Sequence, residues 1–210
     1  MTQRHRTARM LWARRHLNLT GTDVLFTDES QLVMLTDDYG YTGVTMRVAD
    51  CCIVERNTFG GGSVMVWCGI IGNWRTDLVV VQGIINAQRY VADVLNIHAL
   101  PFIRQHGPDV TLMQDNARPH VARVITQFLQ QNNVNVMPCP RFHRIPIKHI
   151  WNQLGRKARA NHQIDNVRDL TRALQQEWRK LPNALVLRYV TSMRHRIIAC
   201  INANDGDIRY

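Results

Sequence analysis

No apolar stretch in this chain of 210 residues approaches the roughly 20 residues that a membrane-spanning helix needs, so no transmembrane segment is expected. The N-terminus is rich in arginine and has no apolar run of signal-peptide length, which argues against secretion. The five cysteines (Cys51, Cys52, Cys68, Cys139, Cys200) contain no CxxC pair, so zinc-knuckle spacings are missing, and their odd number implies no disulfide framework. Reduced, mostly buried thiols in an intracellular protein are the expected state. The chain lacks internal repeats and low-complexity linkers. Acid is missing from two stretches. Residues 1–20 hold Arg4, Arg6, Arg9, Arg14 and Arg15 without an Asp or Glu, and residues 141–160 hold Arg141, Arg144, Lys148, Arg156, Lys157 and Arg159, again without one.

What is present is ordinary globular material: 45% hydrophobic and 20% charged residues, enough for one well-buried domain with a helical appendage. The net charge is +10 and the pI near 10. Clustered Lys and Arg of this kind are the footprint of a phosphate-backbone binder, although solvated helix faces on a basic protein give the same composition.

Hydrophobic periodicity places a helix over 4–19 and a short apolar strand at Val24–Thr27 that ends on Asp28. Gln31–Thr36 and Thr42–Val48 flank a turn-rich segment and read as a hairpin. Strands follow at Ser63–Ile71 and Leu78–Gln82. Asn86 then caps a helix to about Arg104, with Tyr90, Val94, Ile97 and Leu100 on its buried face. Val110–Gln114 reads as a strand delivering Asp115. Pro119 suits the first turn of a helix that carries Val121, Ile125, Phe128 and Leu129 on one face. After a strand at Val134–Met137 and a proline-bounded loop, helices are expected at 147–160, 166–180 and 182–200. Antiparallel strands first, then strands alternating with helices, then helices alone, describe an α/β fold: a mixed sheet covered by helices, with a helical C-terminal region.

Asp28 and Asp115 stand out because each closes an apolar strand. Either alone is most simply a turn residue. On adjacent strands they would share one sheet edge and could hold divalent cations, which in two-metal sites sit about 3.5–4 Å apart and serve the attacking and leaving oxygens of a phosphodiester. Mg²⁺ suits such a site, since it binds a few carboxylates and leaves positions open for water and phosphate.

Five blocks extend this reading: Phe26-Thr27-Asp28-Glu29-Ser30, Ala49-Asp50-Cys51-Cys52-Ile53-Val54-Glu55-Arg56, Phe59-Gly60-Gly61-Gly62-Ser63-Val64-Met65-Val66-Trp67, Gln114-Asp115-Asn116-Ala117-Arg118-Pro119-His120, and Pro146-Ile147-Lys148-His149-Ile150-Trp151-Asn152-Gln153-Leu154. In this order, across roughly residues 10–160, they resemble the catalytic domain of Tc/mariner DNA transposases. The resemblance implies an RNase H-like fold whose acidic (DDE) triad binds two Mg²⁺ (or Mn²⁺) ions. Such enzymes cut DNA at transposon ends and join the freed 3′-hydroxyl to target DNA, in the nucleus. It implies Asp28 and Asp115 as the first two acids and metal ligands. It also implies a domain plan of a basic linker helix at 1–22, the RNase H-like domain at 23–160 and a helical C-terminal extension at 161–210.

The chain departs from the family pattern at the third acid, a position occupied by Lys148. A unit positive charge 4 Å from a divalent ion costs roughly 8 kcal/mol at an effective dielectric of 20, so Lys148 opposes the metal its counterpart holds. His149 or His143 is a poor substitute, because imidazole suits transition metals better than Mg²⁺. His120, beside the second acid, reads as structural or exposed. The loop before position 148 is two residues short, and a helix start displaced by that much moves a side chain about 3 Å along the axis. On that expectation, restoring the acid alone would not restore the site. The leading 20 residues cannot hold the family's tandem helix-turn-helix module, so base-specific readout of transposon ends is expected to be missing.

Three readings therefore stay open: a transposase domain with impaired catalysis, a non-catalytic nucleic-acid-binding module, and a product with no function of its own. The expected partner is DNA held without sequence specificity through Arg141, Arg144, Lys148, Arg156, Lys157 and Arg159. No membrane is involved, and a homodimer is compatible with the resemblance.

Overall fold

The computed structural model describes residues 2–36, 42–47, 62–117, 119–139 and 145–203. The block Ala49–Arg56, Gly60, Gly61, Arg118, Arg141, His143 and Arg144 lie outside the described residues. The elements run α1 (Gln3–Arg15), β1 (Val24–Thr36), β2 (Thr42–Arg47), β3 (Ser63–Ile71), β4 (Trp74–Arg75), β5 (Val79–Val81), α2 (Ala87–Arg89), a π-helical segment (Tyr90–Ala99), α3 (Leu100–His106), β6 (Thr111–Gln114), α4 (Arg123–Gln131), β7 (Asn135–Pro138), α5 (Ile147–Asn161), α6 (Val167–Arg179), α7 (Asn183–Thr191) and α8 (Met193–Asn202).

β1 is the spine of a seven-stranded mixed sheet ordered β4-β3-β1-β6-β7, with β2 also paired to β1 and β5 to β3. The sequence suggested two strands broken near Asp28, but β1 is continuous through that point. Asp28, Glu29 and Ser30 stay extended because β3 pairs with them opposite Cys68, Trp67 and Val66, and the ladder satisfies their backbone groups. β3 occupies one edge of β1. On the other edge β6 runs parallel through Val24–Phe26, while β2 runs antiparallel from Gln31 to Thr36. Residues 27–30 fall between these two partners, in a gap in the sheet. With Phe26 opposite Met113, the same register carries Asp115 level with Asp28.

Alternation along β1 and β3 loads both faces of the sheet. Val24, Phe26, Leu32, Val64, Val66 and Ile70 point into a core shared with α1 and α5–α8, including Trp151, Leu170, Trp178, Val186 and Ile197. Leu25 and Trp67 point the other way, into a core with the π-helical segment, α3 and α4. Each fully buried Leu or Ile contributes about 1.5–3 kcal/mol. The two-face burial explains why these strands read as continuous apolar runs.

The helix after β5 begins where expected, with Asn86 Oδ1 accepting from the Arg89 N–H at 2.9 Å. Its interior differs. From Tyr90 to Ala99 it is π-helical, and the Leu100 N–H still bonds five residues back to the Leu95 carbonyl. A wider turn moves the buried stripe to Tyr90, Val94, Leu95, Ala99 and Ile103 and turns Ile97 out to solvent at 57% exposure. The 3.6-residue period had placed Ile97 inside. α4 likewise starts at Arg123, not in the turn at Pro119, so Ile125 and Leu129 are buried as expected but Val121 is 59% exposed. The last predicted helix is two helices, α7 and α8, meeting at Ser192.

Candidate active site at the gap in the sheet

β1 and β6 bring Asp28 and Asp115 to the gap, and the first turn of α5 closes over it. Asp28 is buried at 6% exposure. Its Oδ2 accepts a hydrogen bond from Trp151 Nε1 at 3.1 Å. Its Oδ1 faces Lys148 Nζ at 3.9 Å. Trp151 and Lys148 lie three residues apart on α5, a spacing that puts both on one face of a helix. Position 148 thus sits at the acidic edge.

Asp115 leaves the end of β6 into a compact turn. Its Oδ1 accepts from the Ala117 N–H at 2.9 Å and pairs with His120 Nδ1 at 2.6 Å. The other ring nitrogen, Nε2, lies 3.5 Å from Glu29 Oε1. Of the two readings its position allowed, structural or exposed, His120 takes the structural one. It is buried and packs against Tyr90, with ring centroids 4.5 Å apart and the ring planes tilted by 34°. The Asn116 amide donates to the Cys139 carbonyl, which ties this turn to the end of β7.

The electrostatics of the two aspartates diverge. Burial pushes the Asp28 carboxyl up to about 7. Lys148 opposes the rise, Glu29 and Asp115 add to it, and the Trp151 bond offsets a little of it. Burial also works against an ionised Asp115, but the hydrogen bond and charge of His120, the Ala117 N–H and Lys148 outweigh it, and the group stays below the usual carboxylate range. His120 loses solvation too, yet Glu29 and Asp115 hold its pKa well above the ordinary imidazole value. The edge therefore holds three carboxylates interleaved with two built-in cations.

Sequence reasoning found Asp28, Asp115 and Lys148 but passed over Glu29 and Trp151 and undervalued His120. Glu29 follows Asp28 in the strand and so points to the opposite face, where it meets His120. Glu29, Asp115 and His120 bring their ligand atoms within 4.8 Å of one another. The signal for Glu29 was its place directly after the first acid. The significance of that place depends on His120, 91 positions further on. Of the proposed phosphate-contacting residues, Arg156 and Arg159 are exposed on α5 and Lys148 and Lys157 half-buried.

No family model matches the chain. The Tc3 transposase of Caenorhabditis elegans is 26% identical over 211 residues, covering 98% of this chain and 64% of that protein. The Tcb2 transposase of Caenorhabditis briggsae is 26% identical over 225 residues, covering all of this chain and 80% of that protein. The chain thus spans about two thirds to four fifths of the relatives it matches. Among solved structures, the catalytic domain of Mos1 mariner transposase superposes with a TM-score of 0.73 at 16% identity, covering 100% of this chain and 98% of that one. Sequence and fold agree: the chain is similar in sequence to Tc1/mariner transposases and has the RNase H-like fold of the Mos1 catalytic domain.

Proposed function

We propose that this chain is a Tc/mariner-type catalytic domain whose metal-dependent strand cleavage is silenced and whose remaining activity is sequence-independent binding of duplex DNA. The observation that carries the first half is the ammonium of Lys148, 3.9 Å from Asp28 Oδ1, where the family pattern calls for a third acid. A pair of divalent ions does not fit the donor set at this edge. The Asp28 oxygens face Trp151 and Lys148, and Asp115 Oδ1 is engaged by His120 and the Ala117 N–H. Glu29 is no replacement for the third acid beside Asp28, since alternation along β1 aims it at the other face. A divalent ion at 4 Å from Lys148 would meet roughly 8 kcal/mol of repulsion at an effective dielectric of 20.

The second half follows from charge. The chain carries +10, and α5 extends from the acidic edge with Arg156, Lys157 and Arg159 and without acid. By the family resemblance the place of action is the nucleus and the assembly on DNA is a homodimer. The domain plan of linker helix, catalytic domain and C-terminal extension belongs to the same reading.

Calorimetric titration with Mn²⁺ and a supercoiled-plasmid nicking assay test the first half. The expected result is no saturable Mn²⁺ binding and no nicking. Nicking that requires Mn²⁺ and disappears in both Asp28→Ala and Asp115→Ala would overturn it. A duplex-binding titration tests the second half, and failure to bind at low salt would leave the chain without the proposed activity.

A further inference from the structure

The fold joins basic helices from the two ends of the chain, in a way the linear sequence conceals. α5 packs on α7, α7 on α8, and α8 on α1, so the helices from the two ends of the chain join in one layer over one face of the sheet. None of these four helices contains an Asp or Glu. Arg14, Arg15, Arg156, Arg188 and Arg194 are exposed on them and Lys157 half-exposed. None of the six has an ion-pair partner among the described residues. Some cations elsewhere are matched: Arg89, just ahead of the π-helical segment, pairs with Asp93 at 2.9 Å, Arg172 on α6 with Asp169, and Lys180 at the end of α6 with Glu177, whereas Arg104 on α3 and Arg123 on α4 have no ion pair among the described residues. The nearest acids in sequence to these helices are Asp165 after α5, Glu177 ahead of α7, Asp23 after α1, and Asp205 and Asp207 after α8, the last two outside the described residues.

A helical layer that repels itself and supplies no internal anion is stabilised by an external one with repeated negative charge. Neighbouring helices lie about 8–10 Å apart, so the three steps from α5 through α7 and α8 to α1 cover roughly 25–30 Å, the length of about 8 base pairs. α5 also begins at the acidic edge, through Lys148. We infer that the acid-free face of α5, α7, α8 and α1 is a docking track for the phosphate backbone of duplex DNA, leading from the acidic edge across the helical layer. The sequence reading placed two separate basic runs, at 1–20 and 141–160; this track joins them through α7 and α8, whose arginines are not clustered in the sequence. The inference rests on the DNA-binding reading above.

The test uses the full chain and random-sequence duplexes of 10 and 20 base pairs, with affinity followed across salt concentrations by fluorescence anisotropy. Three variants are compared: a track variant (Arg14→Gln, Arg15→Gln, Arg188→Gln, Arg194→Gln), an α5 variant (Arg156→Gln, Lys157→Gln), and a control on the opposite side (Arg104→Gln, Arg123→Gln). Circular dichroism melts confirm that each is folded. Every phosphate that the protein neutralises steepens the fall of log K with log salt by about 0.9, so the slope of the track variant is expected to be shallower than wild type by about 3–4 and that of the control by less than 1. If the wild-type chain binds and the track variant keeps its slope while the α5 variant loses affinity, the track is wrong and the DNA reading stands. If the wild-type chain binds neither duplex at low salt, both fall. Vesicles containing anionic lipid are the competing arm: a track variant that loses vesicle binding but not duplex binding assigns the face to a membrane surface and overturns the proposal.

Discussion

Asp28→Asn is expected to stabilise the fold, and to do so only where Asp28 would be ionised. The carboxyl is buried with one good donor, Trp151 Nε1, and a lysine at 3.9 Å, and it titrates near 7 instead of the ordinary 3.8. The folded chain therefore binds this proton more tightly than the unfolded chain does. The contribution of Asp28 to stability is highest below pH 3.8, falls as pH rises through the window from 3.8 to about 7, and levels off above it. Across that window the loss comes to about 4 kcal/mol. Asparagine keeps an oxygen to accept from Trp151 and removes the charge, while Lys148 is part-exposed and can reach water. At pH 8 the variant should be about 3–4 kcal/mol more stable than the wild type, or about 10 °C higher in Tm for a chain of this size. The difference should shrink to nothing near pH 4. Melts of both proteins in a buffer series from pH 4 to 8 measure it, and other titrating groups cancel because they are common to both. A difference that is independent of pH, or largest at pH 4, would refute the reasoning. The effect is the stability cost of holding a carboxylate in a dry edge without the cation that the family pattern supplies.

Four further outcomes are expected. Lys148→Glu should convert the edge into a set of carboxylates and produce calorimetrically detectable Mn²⁺ binding where none is expected of the wild type, because Lys148 faces Asp28; no gain over the wild type would mean that charge alone did not exclude the metal. Glu177 is buried, but hydrogen bonds from His162 and Lys180 outweigh that burial and hold it down at about 2, so its contribution is present above pH 4.5 and lost as pH falls toward 2; Glu177→Gln should cost about 2–3 kcal/mol at pH 7 by denaturant titration and nothing below pH 2. Gly62→Ala should destabilise by about 1–3 kcal/mol, since a Cβ there would run into Val167 Cγ2 on α6. Leu95→Ala should cost about 2–5 kcal/mol and Ile97→Ala less than about 0.5 kcal/mol in the same assay, and the reverse order would mean that the segment is an ordinary α-helix.

The sequence by itself determined the class of fold and the family likeness, and it singled out the two aspartates and the lysine that the fold gathers at one edge. These rest on local chemistry and order along the chain: apolar runs bounded by turn residues, a cap at Asn86, and motif blocks in a set succession. It also carried the total charge. Only the tertiary structure decided that Asp28 lies within a long strand, because the pairing that keeps β1 extended comes from β3, some 40 residues away. The π-helical turn was hidden for a related reason, since Ile97 is as apolar as Leu95 and only packing against the sheet selects between them. Glu29 became part of the site through a histidine brought to it by the β6 turn, and the basic track exists because α8 returns to α1. Contacts between residues far apart in the chain leave no periodic signal at either end, so the sequence alone could name Asp28, Asp115 and Lys148 but not the pairing of Glu29 with His120.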